Sequence, residues 1–168
     1  ERTAGTDKLP LDRLKRNAEE MVTALRETIW ALKQKQVSLT GISDRMKSHV
    51  NRIAPDFPQV KMQVREEAVI EYSVSPASAI HLMAIIQEAL TNALRHSGCS
   101  TVEIRFSGKK NFRVTVTDDG SGFENHLKEG GYGLQNMKQR AVESGFLLDI
   151  STTEKGTVVT VGNADTLS

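Results

Sequence analysis

Leu11, Leu14, Ala18, Met21, Leu25, Thr28 and Leu32 recur at alternating steps of three and four, with Asp12, Arg13, Lys15, Arg16, Glu19, Glu20 and Arg26 filling the other faces. A narrow apolar seam between charged flanks predicts a long amphipathic helix that pairs with another helix. The alternative is a helix packed only on its own domain. Ile29 and Trp30 widen the seam near its end, as a second docking surface would. After a break at 34–38, Leu39, Ile42, Met46, Val50 and Ile53 predict a second helix, ended by Pro55 and Pro58. Val60, Met62 and Val64 then alternate as a strand does, and 68–74 reads as its hairpin partner, with Glu66 and Glu67 near the turn.

Ser75-Pro76 opens a third helix, with Ser as N-cap and Pro at the first helical position. It runs to about His96 and stops at Gly98, a usual C-terminal signal. Strands follow at 101–107 and 112–117 around a Gly108-Lys109-Lys110-Asn111 turn. A glycine-rich loop leads to a helix from about Leu134 to Ser144, and 147–151 with 157–161 close the chain as a hairpin. The fold class expected is therefore α+β: a two-layer sandwich of a mixed, mostly antiparallel sheet with helices on one face, preceded by a long N-terminal helix.

Composition narrows the function classes. The 168 residues carry 22 Lys+Arg against 21 Asp+Glu, so no basic field draws nucleic acid or anionic lipid. The single Cys99 forms no internal disulfide, which suits a reducing compartment. No apolar run reaches the ~20 residues of a membrane helix, and no leader pattern precedes the first helix. The chain starts without Met, as a fragment of a longer protein would.

Chemistry concentrates in three motifs: Gln87-Glu88-Ala89-Leu90-Thr91-Asn92-Ala93, Asp118-Asp119-Gly120-Ser121-Gly122-Phe123 and Gly131-Tyr132-Gly133-Leu134. On the third helix Leu82, Ile86, Leu90 and Ala93 form the apolar stripe, while Glu88, Asn92 and His96 share another face. The amide oxygen of Asn92 is a hard donor suited to Mg²⁺, which takes its other ligands from phosphate and water. Glu88, one turn earlier, could orient or deprotonate a nucleophile, and Arg95 could meet phosphate oxygens. Taken alone, without the later glycine motifs, those side chains are better explained by a solvated helix face.

In 112–118, Asp118 shares the parity of Phe112, Val114 and Val116, so it points into the core layer. A buried carboxylate needs a donor, and the exocyclic amine of adenine supplies a neutral one. Asp119 has the opposite parity and is exposed or turn-forming; a plain Asp-Asp-Gly turn is the competing reading. Gly120 and Gly122 would let the backbone approach the base closely. Gly131 and Gly133 precede a helix whose N-terminal amides suit phosphate oxygens, or they form a simple hinge. Asn125, His126 and Lys128 lie between the glycine motifs on a segment that could close over a nucleotide. Thr157, after Gly156, could reach the adenine region.

Over roughly 39–161 these motifs, in this order, resemble the catalytic ATP-binding domain of bacterial sensor histidine kinases, within the wider group of gyrase, Hsp90, histidine kinase and MutL ATPases (GHKL, or Bergerat fold). The first motif resembles the N box, the others the first and second glycine boxes. Asn92-Ala93-Leu94-Arg95-His96-Ser97, a very short lid and Gly133-Leu134-Gln135-Asn136-Met137-Lys138-Gln139-Arg140 are similar to the nitrate-sensor and DesK-like subfamily. Leu25 to Lys33 resembles the second helix of that subfamily's dimerisation bundle. The resemblance implies a partial dimerisation helix and linker over 1–38 and a catalytic domain over 39–168. It implies Asn92 on Mg²⁺, Asp118 on the adenine amine, Glu88 assisting phosphoryl transfer, and ATP contacts from Arg95, His96, Gly120, Gly122, Gly131, Gly133, Leu134 and Thr157. Arg95 stands where relatives often carry Lys, which keeps the charge and changes its geometry.

The acceptor histidine of such kinases lies in an Arg-x-x-His-Asp-like stretch on a first dimerisation helix, and no such stretch exists here. His49, His81, His96 and His126 all fall within or after the ATP-domain region. The resemblance therefore implies a module that binds Mg-ATP, phosphorylates a His on a helix outside this chain and does not autophosphorylate alone. It further implies a homodimeric full-length kinase, a response regulator as partner and a cytoplasmic position in a membrane-associated sensor. A nucleotide-binding scaffold without phosphoryl transfer is the alternative. An ATP-driven clamp ranks last, lacking a longer lid and a transducer domain.

Overall fold

The computed structural model describes residues 8–67, 72–108, 111–121 and 132–163, with side chains from Leu14 onward apart from those of 16 and 20. Four helices, α1 (Lys8–Leu32), α2 (Leu39–Ile53), α3 (Pro76–His96) and α4 (Tyr132–Glu143), accompany seven strands. Five of these, β2 (Lys61–Glu66), β4 (Thr101–Gly108), β5 (Phe112–Asp118), β6 (Leu147–Thr153) and β7 (Gly156–Gly162), form one sheet in the order β2-β4-β5-β7-β6. The β2–β4 pairing is parallel and the other three are antiparallel, so the sheet is mixed and mostly antiparallel.

Strand alternation decides which face is covered. Val102, Ile104 and Phe106 on β4, and Phe112, Val114 and Val116 on β5, are buried, as are Val159 and Val161 on β7. The stripe on α3 closes over them: Leu82, Ile86, Leu90 and Ala93 are all buried. Full burial of a Phe or Leu side chain is worth roughly 1.5–3 kcal/mol, so this layer is the main source of stability. Phe112 is fixed between Tyr72 and Phe146, at ring separations of 5.0 and 5.1 Å. The opposite face carries the polar parity. There Arg65 pairs with Glu103 at 3.0 Å, and Arg105 bridges Glu103 and Glu67.

The hairpin expected after β2 is not formed. Its described part, β3 (Ser73–Val74), pairs antiparallel with β1 (Val37–Ser38), while β2 takes β4 as its parallel neighbour across the α3 connection. The physical reason is burial: Val37 and Val74 face each other under the start of α2 and are both removed from water. Residues 68–71 of the expected hairpin lie outside the described residues.

The N-terminal helix α1 lies against α3, but not through its apolar seam. Leu14, Met21, Leu25 and Leu32 are 66, 73, 60 and 63% exposed. The docked side is the polar one: Gln87 Nε2 donates to Glu27 Oε2 at 2.9 Å, and Arg52 Nη1 donates to Thr23 Oγ1 at 2.9 Å. At the helix end Ala31 is buried, and the Trp30 ring packs on Gly41 with the Arg45 guanidinium 4.2 Å from the ring centroid.

Candidate functional site

Helix α3 begins as its sequence dictates: Ser75 Oγ accepts from the Ser78 N–H at 3.1 Å, and Pro76 follows as first helical residue. The cap fixes the register that puts the apolar stripe on the sheet. Glu88 and Asn92 are consequently half-buried at the rim of α3. Arg95 and His96 are exposed in its last turn. Glu88 meets the second glycine motif, because a Cβ on Gly133 would overlap its carboxylate. The N-box acid therefore sits at the first turn of α4, where uncompensated amides favour negative charge. Leu134 is half-buried against the core.

The end of β5 holds two adjacent acids in opposite environments. Asp118 is buried, as its parity requires, and its Oδ1 accepts from the Gly120 N–H at 2.9 Å. Asp119 is exposed and accepts from the N–H groups of Ser100 and Thr101, both at 2.8 Å, and from Ser100 Oγ at 2.6 Å. Those donors hold its carboxyl far below the usual carboxylate range. Thr157 lies on β7 next to the last register pair, Thr117 with Val158, so it shares the inward face with Asp118. Its side chain is 1% exposed, and its Oγ1 has no hydrogen-bond partner. A buried, unpaired hydroxyl beside a buried carboxylate is costly unless a polar ligand completes it.

Three glycines bring the motifs together. A Cβ on Gly156 would overlap the Asp118 carbonyl, and Gly133 makes room for Glu88. At Gly120 the space of the missing Cβ is taken by Ser97, at the end of α3. Ser97 is itself buried; its carbonyl accepts from the Ser121 N–H at 2.9 Å and its Oγ from the Cys99 N–H at 3.2 Å. The first glycine motif is thus stitched to the end of the N-box helix. Gly122 and Gly131 lie outside the described residues, as do Asn125, His126 and Lys128.

A groove of about 1310 Å³ runs between α1, α2, α3 and α4, and Glu88, Arg95 and Arg140 line it. His49 lines it as well. Burial, then the neighbouring charge of Arg52, pushes His49 down to about 4. Arg52 Nη2 lies 2.8 Å from His49 Nδ1, and since a guanidinium only donates, Nδ1 accepts and the imidazole is neutral. Asn92, Asp118 and Thr157 do not line this groove. Sequence reasoning missed Ser97, Ser100 and Asp119 as parts of the site. The only local signal for them was a second acid after Asp118.

The family of histidine kinase-, DNA gyrase B- and HSP90-like ATPases matches residues 77–165, from the start of α3 through β7. The chain belongs to this ATPase family. Within it, this ATPase domain is 33% identical over 119 residues to sensor histidine kinase LiaS of Bacillus subtilis, covering 69% of the chain and 33% of LiaS. It is 36% identical over 106 residues to sensor protein VraS of Staphylococcus aureus, covering 61% of the chain and 30% of VraS. The chain thus spans about a third of the length of these curated relatives. Among solved structures it is similar to the blue-light activated histidine kinase of Erythrobacter litoralis, with TM-score 0.67 and 28% identity over 90% of this chain and 54% of that one. The fold also matches histidine kinase AdeS of Acinetobacter baumannii, with TM-score 0.65 and 14% identity over 94 and 85% of the two chains. The chain is thus a domain of this ATPase family that is similar in sequence to sensor histidine kinases. Among its described residues no helix is long and apolar enough to cross a membrane.

Proposed function

We propose that residues 39–168 bind Mg-ATP and transfer its γ-phosphate to a histidine on a helix outside this chain, and that 1–38 is part of the bundle that presents that helix. The observation that carries the reading is the buried pair at the sheet end, Asp118 beside Thr157 with its unpaired hydroxyl. Adenine suits both, with an exocyclic amine to donate to Asp118 and ring nitrogens to accept from Thr157. The amide oxygen of Asn92 is the protein ligand for Mg²⁺, whose role is to neutralise the charge of the transferring phosphoryl group. Glu88, at the first turn of α4, orients the acceptor imidazole. Arg95 and the amides preceded by Gly131 and Gly133 contact phosphate oxygens. His96, Gly120, Gly122 and Leu134 complete the nucleotide contacts through the backbone or the pocket wall. The exposed seam of α1 supports the bundle assignment, since a helix docked by its polar side leaves its apolar side for another helix. The full-length protein is then a dimeric, membrane-associated sensor whose cytoplasmic kinase hands phosphate to a response regulator.

The test is calorimetric titration of the chain with ATP and Mg²⁺, beside Asp118→Asn. Losing a hydrogen bond from a charged partner costs about 1.5–3 kcal/mol, so Asp118→Asn is expected to weaken binding about 10- to 100-fold. A folded wild-type chain that binds no ATP would refute the reading. With ATP alone, no acid-labile phosphohistidine forms on this chain; it forms on an added acceptor-helix peptide.

A further inference from the structure

We propose that Asp119 is a positioning residue for adenine selection: it ties the end of β5 to the start of β4, so that the Asp118 carboxylate is held where the base is read. The inference rests on the ATP-binding reading above and extends it to a side chain that reading does not use. Asp118 is the last residue of β5, and its pairing with Val102 is the last of the β4–β5 ladder. Two residues on comes Gly120, with few backbone restraints of its own. A strand end followed by glycine frays unless something beyond the ladder holds it.

Asp119 does this with both carboxylate oxygens. Oδ1 accepts from the N–H groups of Ser100 and Thr101, and Oδ2 accepts from Ser100 Oγ. The Asp119 N–H also donates to the Thr101 carbonyl at 3.3 Å. The side chain therefore extends the β4–β5 pairing one step past the ladder, through charge-assisted bonds that are roughly twice as strong as neutral ones. On the far side of Asp118, its carbonyl rests against Gly156 of β7. Ser97 fills the gap behind Gly120. Asp118 is thus confined by β7 on one side, α3 behind and the Asp119 brace on the other. Of these contacts the brace is the only one made by a freely exposed side chain, so it can be removed without opening the core.

The experiment measures calorimetric affinities of the full chain for ATP and for ITP, which lacks the 6-amino group, with Mg²⁺, and the melting temperature of each variant. The wild type should prefer ATP by about tenfold or more, the equivalent of one charge-assisted hydrogen bond. Asp119→Ala should lower that preference toward one while the chain stays folded. Asp119→Asn, which keeps an acceptor for the Ser100 and Thr101 N–H groups, should recover most of it. A purely structural role predicts equal losses for both nucleotides and an unchanged ratio, which would overturn the proposal. Should Asp119→Ala fail to fold, Ser100→Ala removes only the hydroxyl bond. A two- to threefold fall in its ratio supports the brace, and an unchanged ratio rejects it. A wild type that binds neither nucleotide overturns the ATP reading and this inference together. A wild type that binds both equally overturns the inference and the adenine role of Asp118 alone.

Discussion

Helices α1 and α3 have the same kind of apolar stripe and opposite fates. On α3, Leu82 and Ile86 are fully buried against the sheet; on α1, Met21 and Leu25 are 73 and 60% exposed, although that helix also packs on the domain. The difference lies in which face docks. The α3 stripe finds its partner within the chain, and α1 turns its polar side inward through Thr23 and Glu27. Amphipathicity alone therefore does not say where a helix buries its stripe. An apolar seam left outward on a docked helix is a surface that another helix can cover.

Truncating each stripe should separate the two helices most. Ile86→Ala should cost about 2–5 kcal/mol in urea unfolding, the usual range for a buried aliphatic side chain. Leu25→Ala should stay within about 0.5 kcal/mol, as exposed positions do. Equal costs would show that α1 is part of the domain core. Next in size is the stitching at the α3 end. Gly120→Ala drives a Cβ into the Ser97 backbone and should cost about 1–3 kcal/mol, with loss of Mg-ATP binding by calorimetry. Gly133→Ala meets the end of the Glu88 side chain, so its melting temperature should move less while phosphoryl transfer to an added acceptor-helix peptide slows.

His49 lines the groove between α1 and the domain and makes its stability depend on pH. Its folded value of about 4 lies below the ordinary 6.5, because burial and then Arg52 favour the neutral ring. The stability this contributes is complete above pH 6.5 and is lost as the pH falls toward 4. By pH 5 the loss should be on the order of 1 kcal/mol, and it should disappear in His49→Gln. The smallest effect belongs to the α1–α3 contact itself. A double-mutant cycle on Glu27 and Gln87 should give a coupling of about 0.5–1 kcal/mol. A much larger coupling would contradict the picture of a helix resting on its polar side.

Local signals in the sequence carried far. The extent of α2, the Ser75 cap and the inward turn of Asp118 all follow from residues within a few positions of one another. What escaped is long-range. Two-residue strands have no alternation to read, so the partnership of Val37 with Val74 leaves no local signal, and the pattern around 68–74 predicts a hairpin instead. The choice of docking face on α1 depends on Gln87 and Arg52, distant in sequence. The need for Gly120 comes from Ser97, and nothing near Gly120 in the chain announces it. The motifs of the candidate site are legible in the sequence, whereas the bonds that align them are not.

The joint at Trp30 has a mechanical consequence. With Ala31 buried, the indole seated on Gly41 and Arg45 across its ring, the last turn of α1 is keyed to the first turns of α2. Such a joint limits the angles at which α1 can leave the domain without exposing the Trp30 ring and Ala31.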